Sequence, residues 1–472
     1  AAGGRALALD PALAGAMIDR ASALLDDGRI AAAIAECRRA LAVAPDNADC
    51  HSNLLLTLQY SPDHTAADLL AEHRAWNERH GRPRAVHIAR HANPPDPERR
   101  LRVGYVSADL GYHPVGYFLA PVLPAHDRRA VEVFCYSAKR EDGLTRRLRA
   151  AADHWRPIHG LDEAAVAAMI AADGIDILVD LAGHTGGNRL TVFARKPAPV
   201  QATWAGYVGT TGLSAMDALI ADARHMPPGT EPTAVERVVR LPDGYVCVLP
   251  REGAPDVGPL PALANGHVTF GCFNNRVKLS APTLALWARL LNRLPTARLL
   301  LKTHQFDDPR VCAHLLAEFA GLGGDAARVD LSGRAEHADL PGWYNRVDVA
   351  LDPFPYSGGL TTLEALWMGV PVVTLGGGDR FCSRHSAGHL TVAGLERCIA
   401  PDADAYVDRA AGLAGDLPGL AALRSGLRAR MAASPLCDGE RFARNLETVY
   451  REMWRRWCAA RTQDRDAPDR DA

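Results

Sequence analysis

From Asp352 to Thr374 the sequence reads Asp-Pro-Phe-Pro-Tyr-Ser-Gly-Gly-Leu-Thr-Thr-Leu-Glu-Ala-Leu-Trp-Met-Gly-Val-Pro-Val-Val-Thr. Gly358 and Gly359 permit close approach of a ligand to the backbone. Thr361 and Thr362 offer hydroxyl donors, and Glu364, one turn further on, accepts from a pair of ribose hydroxyls. Free amides at a helix start favour an anion, so this stretch suits a diphosphate beside a sugar ring. The same residue types also serve an ordinary strand-to-helix turn with a threonine cap.

Other candidates sit at comparable places. Lys278 closes the run Gly271-Cys-Phe-Asn-Asn-Arg-Val-Lys, where a cation neutralises a departing diphosphate and Asn275 adds a neutral donor. A lone lysine at a strand end is more often solvated. His337, in Ser332-Gly-Arg-Ala-Glu-His, is placed to stack on a base. His113 lies in the loop Ser107-Ala-Asp-Leu-Gly-Tyr-His-Pro, as a general base, a substrate contact or a plain turn cap. The segment Asp180-Leu-Ala-Gly-His-Thr-Gly-Gly offers Asp180, His184 and Thr185, with Asp180 equally suited to orienting His184 or a backbone amide. A third Gly/hydroxyl loop, Trp204 to Gly212, presents Gly209.

These loops need strands and helices to hold them. Strands are predicted at 101–107, 131–136, 175–181, 268–273, 298–302, 329–331, 347–351 and 371–375, with amphipathic helices such as 163–172 between them and a helix at 363–368. Alternating strand and helix implies parallel sheets covered on both faces, here two doubly wound α/β domains in tandem with ligands beyond the carboxyl ends of the strands. Upstream, 14–47 follows a 34-residue tetratricopeptide pattern with Gly28 at the inter-helix turn and Pro45 closing the second helix. A weaker unit starts at Ala48. One and a half repeats cannot bury a solenoid core, so they lean on the following domain or continue upstream. Asn93 to Arg99 is a linker. The division expected is 1–98 helical, 99–250 first catalytic lobe and 251–472 second lobe.

The chain has 472 residues, is 48% hydrophobic and carries a formal net charge of −2, which gives no electrostatic case for nucleic acid or an acidic membrane as partner. No apolar run reaches the roughly 18 residues of a membrane span. Ten cysteines are scattered without CxxC or Cys/His ligand spacing, which predicts free thiols, a cytoplasmic setting and no metal. The first residue is Ala rather than Met, as in a truncated chain.

Five ordered motifs resemble the bacterial protein O-linked N-acetylglucosamine transferases that carry tetratricopeptide repeats: Leu101-Arg-Val-Gly-Tyr-Val-Ser-Ala-Asp with His113-Pro114, Lys196-Pro-Ala-Pro-Val-Gln, Gly206-Tyr-Val-Gly-Thr, Phe273-Asn-Asn-Arg-Val-Lys, and Thr361 to Val373. The resemblance implies a GT-B architecture, two Rossmann-like domains facing a cleft. It also implies UDP-N-acetylglucosamine as donor substrate with no cofactor, inversion at the anomeric carbon, no metal requirement and a protein or peptide acceptor. By the same resemblance His113 matches the active-site histidine, Lys278 the lysine at the diphosphate, His337 a uridine contact, Thr361 a phosphate contact and Glu364 the ribose-binding acid. Asn275 stands where the family has glutamine. The Gly358-Gly359 pair departs from the animal enzymes, where a histidine follows the first glycine, and the large insertion between their lobes is absent. Two alternatives remain: a cytoplasmic protein N-glucosyltransferase, and a repeat-bearing peptide-binding protein with a relic transferase fold.

Overall fold

The computed structural model describes residues 13–85 and 91–466. It contains two compact units, Leu70–Leu249 with Asp438–Ala472, and Ala1–Leu69 with Pro250–Cys437.

The first unit is built on a seven-stranded sheet: β1 (Leu101–Ser107), β2 (Val131–Ser137), β3 (His154–Pro157), β4 (Ile177–Asp180), β5 (Val200–Thr203), β6 (Ala218–Asp222) and β7 (Arg237–Leu241). The order is β3-β2-β1-β4-β5-β6-β7, parallel throughout. β1, β2 and β4 are buried nearly end to end, as strands covered by helices on both faces must be. Helix Glu163–Ala172 begins where Asp162 accepts from the Ala165 amide. The long helix Gly439–Asp466 belongs to this unit for a reason legible in its pattern. Phe442, Leu446, Val449, Tyr450, Met453 and Trp454 recur at helical spacing and are all buried. Phe442 stacks on Trp204, and the Tyr450 hydroxyl meets that of Tyr105 at 3.1 Å.

The second unit has a six-stranded sheet: β8 (Thr269–Cys272), β9 (Arg298–Lys302), β10 (Val329–Ser332), β11 (Val349–Leu351), β12 (Val372–Leu375) and β13 (Ile399–Ala400), in the order β10-β9-β8-β11-β12-β13. Phe270, Trp287, Leu299, Leu315, Phe319 and Val349 centre its core. Helices Ala14–Asp26 and Ile30–Val43 form the first tetratricopeptide-like hairpin, turning at Gly28 with φ +77°. With Ala48–Tyr60 they share a small core that includes Ala21, Ile34, Cys37 and Leu54. By compactness the chain passes from one unit to the other between Leu249 and Pro250, while the segment up to Leu69 groups with the second unit and the last helix with the first.

Both sheets reverse strand order at the same step. β4 lies beside β1, and β11 beside β8. The carboxyl ends of those four strands are therefore the topological switch points where ligands bind in open α/β sheets. Four of the candidate loops start there: that of His113 after β1, that of Asp180 after β4, that of Lys278 after β8, and 352–364 after β11.

Candidate active site

In the second unit the diphosphate candidates form one polar group. Helix Leu360–Trp367 starts earlier than the predicted 363, so Thr361 and Thr362 lie in its first turn and Gly359 is its N-cap. The Thr361 hydroxyl donates to Asn274 Oδ1 at 3.0 Å, and Lys278 Nζ reaches the same oxygen at 3.3 Å and the Ser357 carbonyl at 3.0 Å. Lys278 Nζ also sits 4.3 Å from the centre of the Tyr356 ring. Burial pushes the Lys278 ammonium down to about 8, opposed by Asp352. Asp352 is itself buried and pushed up to about 6. It accepts from the Gly358 amide at 2.7 Å and from the Thr374 hydroxyl at 2.6 Å, which fixes the loop.

The two glycines differ. A Cβ on Gly358 would stand 2.6 Å from Thr362 Oγ1 and 2.9 Å from Thr361 Oγ1, whereas one on Gly359 meets nothing within 4 Å. Close packing thus requires glycine at 358 only. The Thr362 hydroxyl is buried against Ser386 Oγ at 2.7 Å and donates to the Gly358 carbonyl, a structural engagement.

Glu364 and His337 are joined by a residue that sequence reading overlooked. Arg251 Nε donates to Glu364 Oε1 at 2.7 Å, and its terminal nitrogen lies 3.1 Å from His337 Nδ1 and 3.2 Å from the His337 carbonyl. The Arg251 and Glu364 side chains are each 13% exposed, and burial raises the Glu364 carboxyl against the opposing pull of Arg251. His337 is exposed. Asn275 is also exposed, and its side-chain oxygen accepts from Thr303 at 3.3 Å, while its neighbour Asn274 contacts both Lys278 and Thr361 through its side chain. Asn274 is buried in the loop that leaves β8, while Asn275 beside it faces solvent.

In the first unit His113 is the N-cap of helix Pro114–Leu119. Its Nδ1 accepts from the Val115 amide at 3.4 Å and lies 3.8 Å from Asp109 Oδ2. The side chain is 37% exposed, and partial burial lowers its basicity, with Asp109 opposing and Lys139 adding to the effect. A neutral ring that accepts at Nδ1 carries its proton on Nε2, so the outer nitrogen is a donor. Asp180 mirrors Asp352. Pushed up to about 6 by burial, it accepts from the Ala182 and Gly183 amides and from Thr203. His184 is buried and bonded through Nε2 to the Thr211 carbonyl at 2.8 Å, edge-on to Trp76. Thr185 donates to the Ala182 carbonyl. Beside Gly209, Thr210 and Thr211 both donate to the buried Glu236. In the Asp-x-Asp run at 402–404, Asp402 caps helix Ala403–Gly415 and Asp404 pairs with Arg289 on the surface.

The profile of Glycosyl transferase family 41 matches residues 83–247 and 260–446. The chain belongs to that family. A Petunia hybrida protein named "Probable UDP-N-acetylglucosamine--peptide N-acetylglucosaminyltransferase SPINDLY" is 42% identical over 427 residues, 89% of this chain and 45% of that protein. The corresponding SEC protein of Arabidopsis thaliana is 32% identical over 378 residues, 76% of this chain and 38% of that one. The chain therefore spans less than half the length of these relatives. Among solved structures, a mutant of the Thermobaculum terrenum O-GlcNAc transferase superposes with a TM-score of 0.91 at 42% identity, over 97% of this chain and 87% of that one. Sucrose-phosphate synthase of Thermosynechococcus elongatus, at 16% identity and TM-score 0.51, shares the two-domain fold alone. The family and the two switch-point sheets agree on a pair of Rossmann-like domains with an N-terminal tetratricopeptide-like segment.

Proposed function

We propose that this chain is the catalytic part of an inverting glycosyltransferase that moves N-acetylglucosamine from UDP-N-acetylglucosamine to Ser or Thr hydroxyls of proteins. The observation that carries the reading is the convergence of Lys278, Asn274 and Thr361 at the first turn of helix Leu360–Trp367, a cation and donors at a switch point. The names of the 42%-identical relatives support the donor and the acceptor class. In the reaction the acceptor oxygen bonds to the anomeric carbon while the bond from that carbon to the β-phosphate oxygen breaks. The electron pair leaves on the diphosphate, and the hydroxyl proton passes to water or a nearby base. Lys278 and the helix amides bind the diphosphate as its charge grows, which lowers the barrier. His113 donates from Nε2 to substrate, and Glu364 accepts from the ribose once Arg251 yields it. The free cysteines support a reducing, cytoplasmic setting. Among the described residues no helix is long and apolar enough to cross a membrane.

Turnover of UDP-N-acetylglucosamine, measured against UDP-glucose, UDP-galactose and GDP-sugars, tests the donor. Preference for UDP-N-acetylglucosamine supports the reading, and preference for another donor overturns it. Activity is expected to persist in excess EDTA, because Lys278 supplies the charge. Complete loss, restored by Mg or Mn, contradicts that mechanism. Glu364→Ala is expected to weaken UDP binding about tenfold, the worth of a hydrogen bond to a charged group, with a smaller change in kcat. Equal affinity by calorimetry removes Glu364 from the ribose.

A further inference from the structure

The helical segment upstream of the sheets touches the Lys278 group at two separate points, both within the second unit. At one, Tyr60, the last residue of helix Ala48–Tyr60, stacks on Tyr356 with centroids 5.0 Å apart and planes 20° from parallel. Tyr356 is the ring that carries Lys278 Nζ at 4.3 Å. The helix end is pinned there: Arg380 donates to the Ser61 carbonyl at 2.9 Å, Cys382 contacts the Gln59 carbonyl at 3.8 Å, and the Ala66 amide donates to Asp379 at 3.0 Å.

At the other point, Gly28 in the first inter-helix turn lies against the buried Arg276 guanidinium, so closely that a Cβ would stand 2.3 Å from its carbon. Arg276 begins the short turn Arg276–Lys278, and its guanidinium is bound by Glu318 and the Leu279 carbonyl. One contact thus fixes the turn that bears Lys278, and the other fixes the ring under its ammonium.

We propose that the tetratricopeptide-like segment is a working part of the nucleotide-sugar site and that Tyr60 is a positioning residue, holding Tyr356 against Lys278 so that the ammonium is aimed at the diphosphate. The proposal rests on the glycosyltransferase reading above. The phenol of Tyr60 is pushed up to about 12 by burial and stays neutral, so its contribution is the aromatic face. The titratable groups around Lys278 are Asp352 from the end of β11, Cys272 from β8 and Cys382 from the turn Phe381–Arg384. None of them is on the helix that ends at Tyr60.

UDP binding to the full chain, followed by calorimetry from pH 6 to 9, separates this role from simple support of the fold. Tyr60→Phe keeps the stacking face and is expected to bind UDP like the wild type. Tyr60→Leu fills similar space without an aromatic face, and a melting temperature near that of the wild type shows that the fold survives. It is expected to bind UDP about fivefold more weakly at pH 7, the worth of one cation–π contact. The pH at which its affinity falls off should move upward, because a loosened ring admits water to Lys278 and relieves the burial that lowers its pKa. If Tyr60→Leu melts early, Tyr60→Trp, which restores a face, must recover affinity; failure to do so overturns the proposal. Equal affinity and equal pH dependence in Tyr60→Leu and Tyr60→Phe also overturn it. A wild-type chain that binds no UDP at any pH removes the glycosyltransferase reading and this proposal together.

Discussion

Replacing Lys278 by Ala is expected to lower transfer at least a hundredfold and to weaken UDP binding. Removing one preorganised donor from a developing negative charge costs ~2.7 kcal/mol or more, and here the donor is charged and largely shielded from water. Asn274, Thr361 and the Ser357 carbonyl, which now share Lys278 Nζ and its surroundings, cannot supply a compensating cation. The wild type should also show a signature of this group. With its pKa pushed down to about 8, Lys278 is charged below pH 8 and neutral above it, so kcat/KM for the donor should decline through pH 8. In the donor complex the diphosphate favours the ammonium, and the limb in kcat should lie higher. Near wild-type turnover in Lys278→Ala, or a flat kcat/KM profile to pH 9.5, takes Lys278 out of the reaction.

His113→Ala is the second variant with a large expected effect: roughly a hundredfold lower transfer, the lower range for a positioned proton-handling group, with UDP affinity nearly unchanged. His113 belongs to the other unit from the residues assigned to UDP, so the two readouts separate. Its N-cap bond from Val115 leaves the proton on Nε2, which makes it a donor to substrate. The rate of the Ala variant should therefore fall at every pH without loss of the acid limb. Disappearance of the acid limb instead assigns His113 as the base, with Nδ1–H turned to Asp109. Normal transfer by His113→Ala makes it a helix cap alone.

The strands that hold the site were legible because they are continuous apolar runs. Leu101–Ser107 and Arg298–Lys302 match the prediction end to end, and helix Glu163–Ala172 does too, since Asp162 marks its start. β3, β5 and β7 escape such a reading because polar residues interrupt their apolar ones, as in His154-Trp-Arg-Pro, Val200-Gln-Ala-Thr and Arg237-Val-Val-Arg-Leu. Within the site, residue types flagged the right loops but not which atoms meet. Asn274 and Asn275 are equivalent as letters, and only the folded loop after β8 puts 274 beside Lys278. Arg251 lies in a Gly/Pro-rich stretch without periodicity, 113 positions from the Glu364 it binds, and no local pattern could announce that pairing. The same is true of Tyr60 and Tyr356, which are brought together by tertiary packing of the repeat helices. Asp180 and Asp352 show the converse: each stands at the end of a switch-point strand and accepts from a glycine amide of the loop that follows, Gly183 and Gly358.

Transfer of N-acetylglucosamine to protein hydroxyls is read out by mass spectrometry of a Ser- and Thr-containing peptide library incubated with this chain, UDP-N-acetylglucosamine and EDTA. A gain of one N-acetylhexosamine on Ser or Thr is expected, and its absence with Lys278→Ala. A hexose on Asn, or unmodified peptides alongside intact donor, contradicts it.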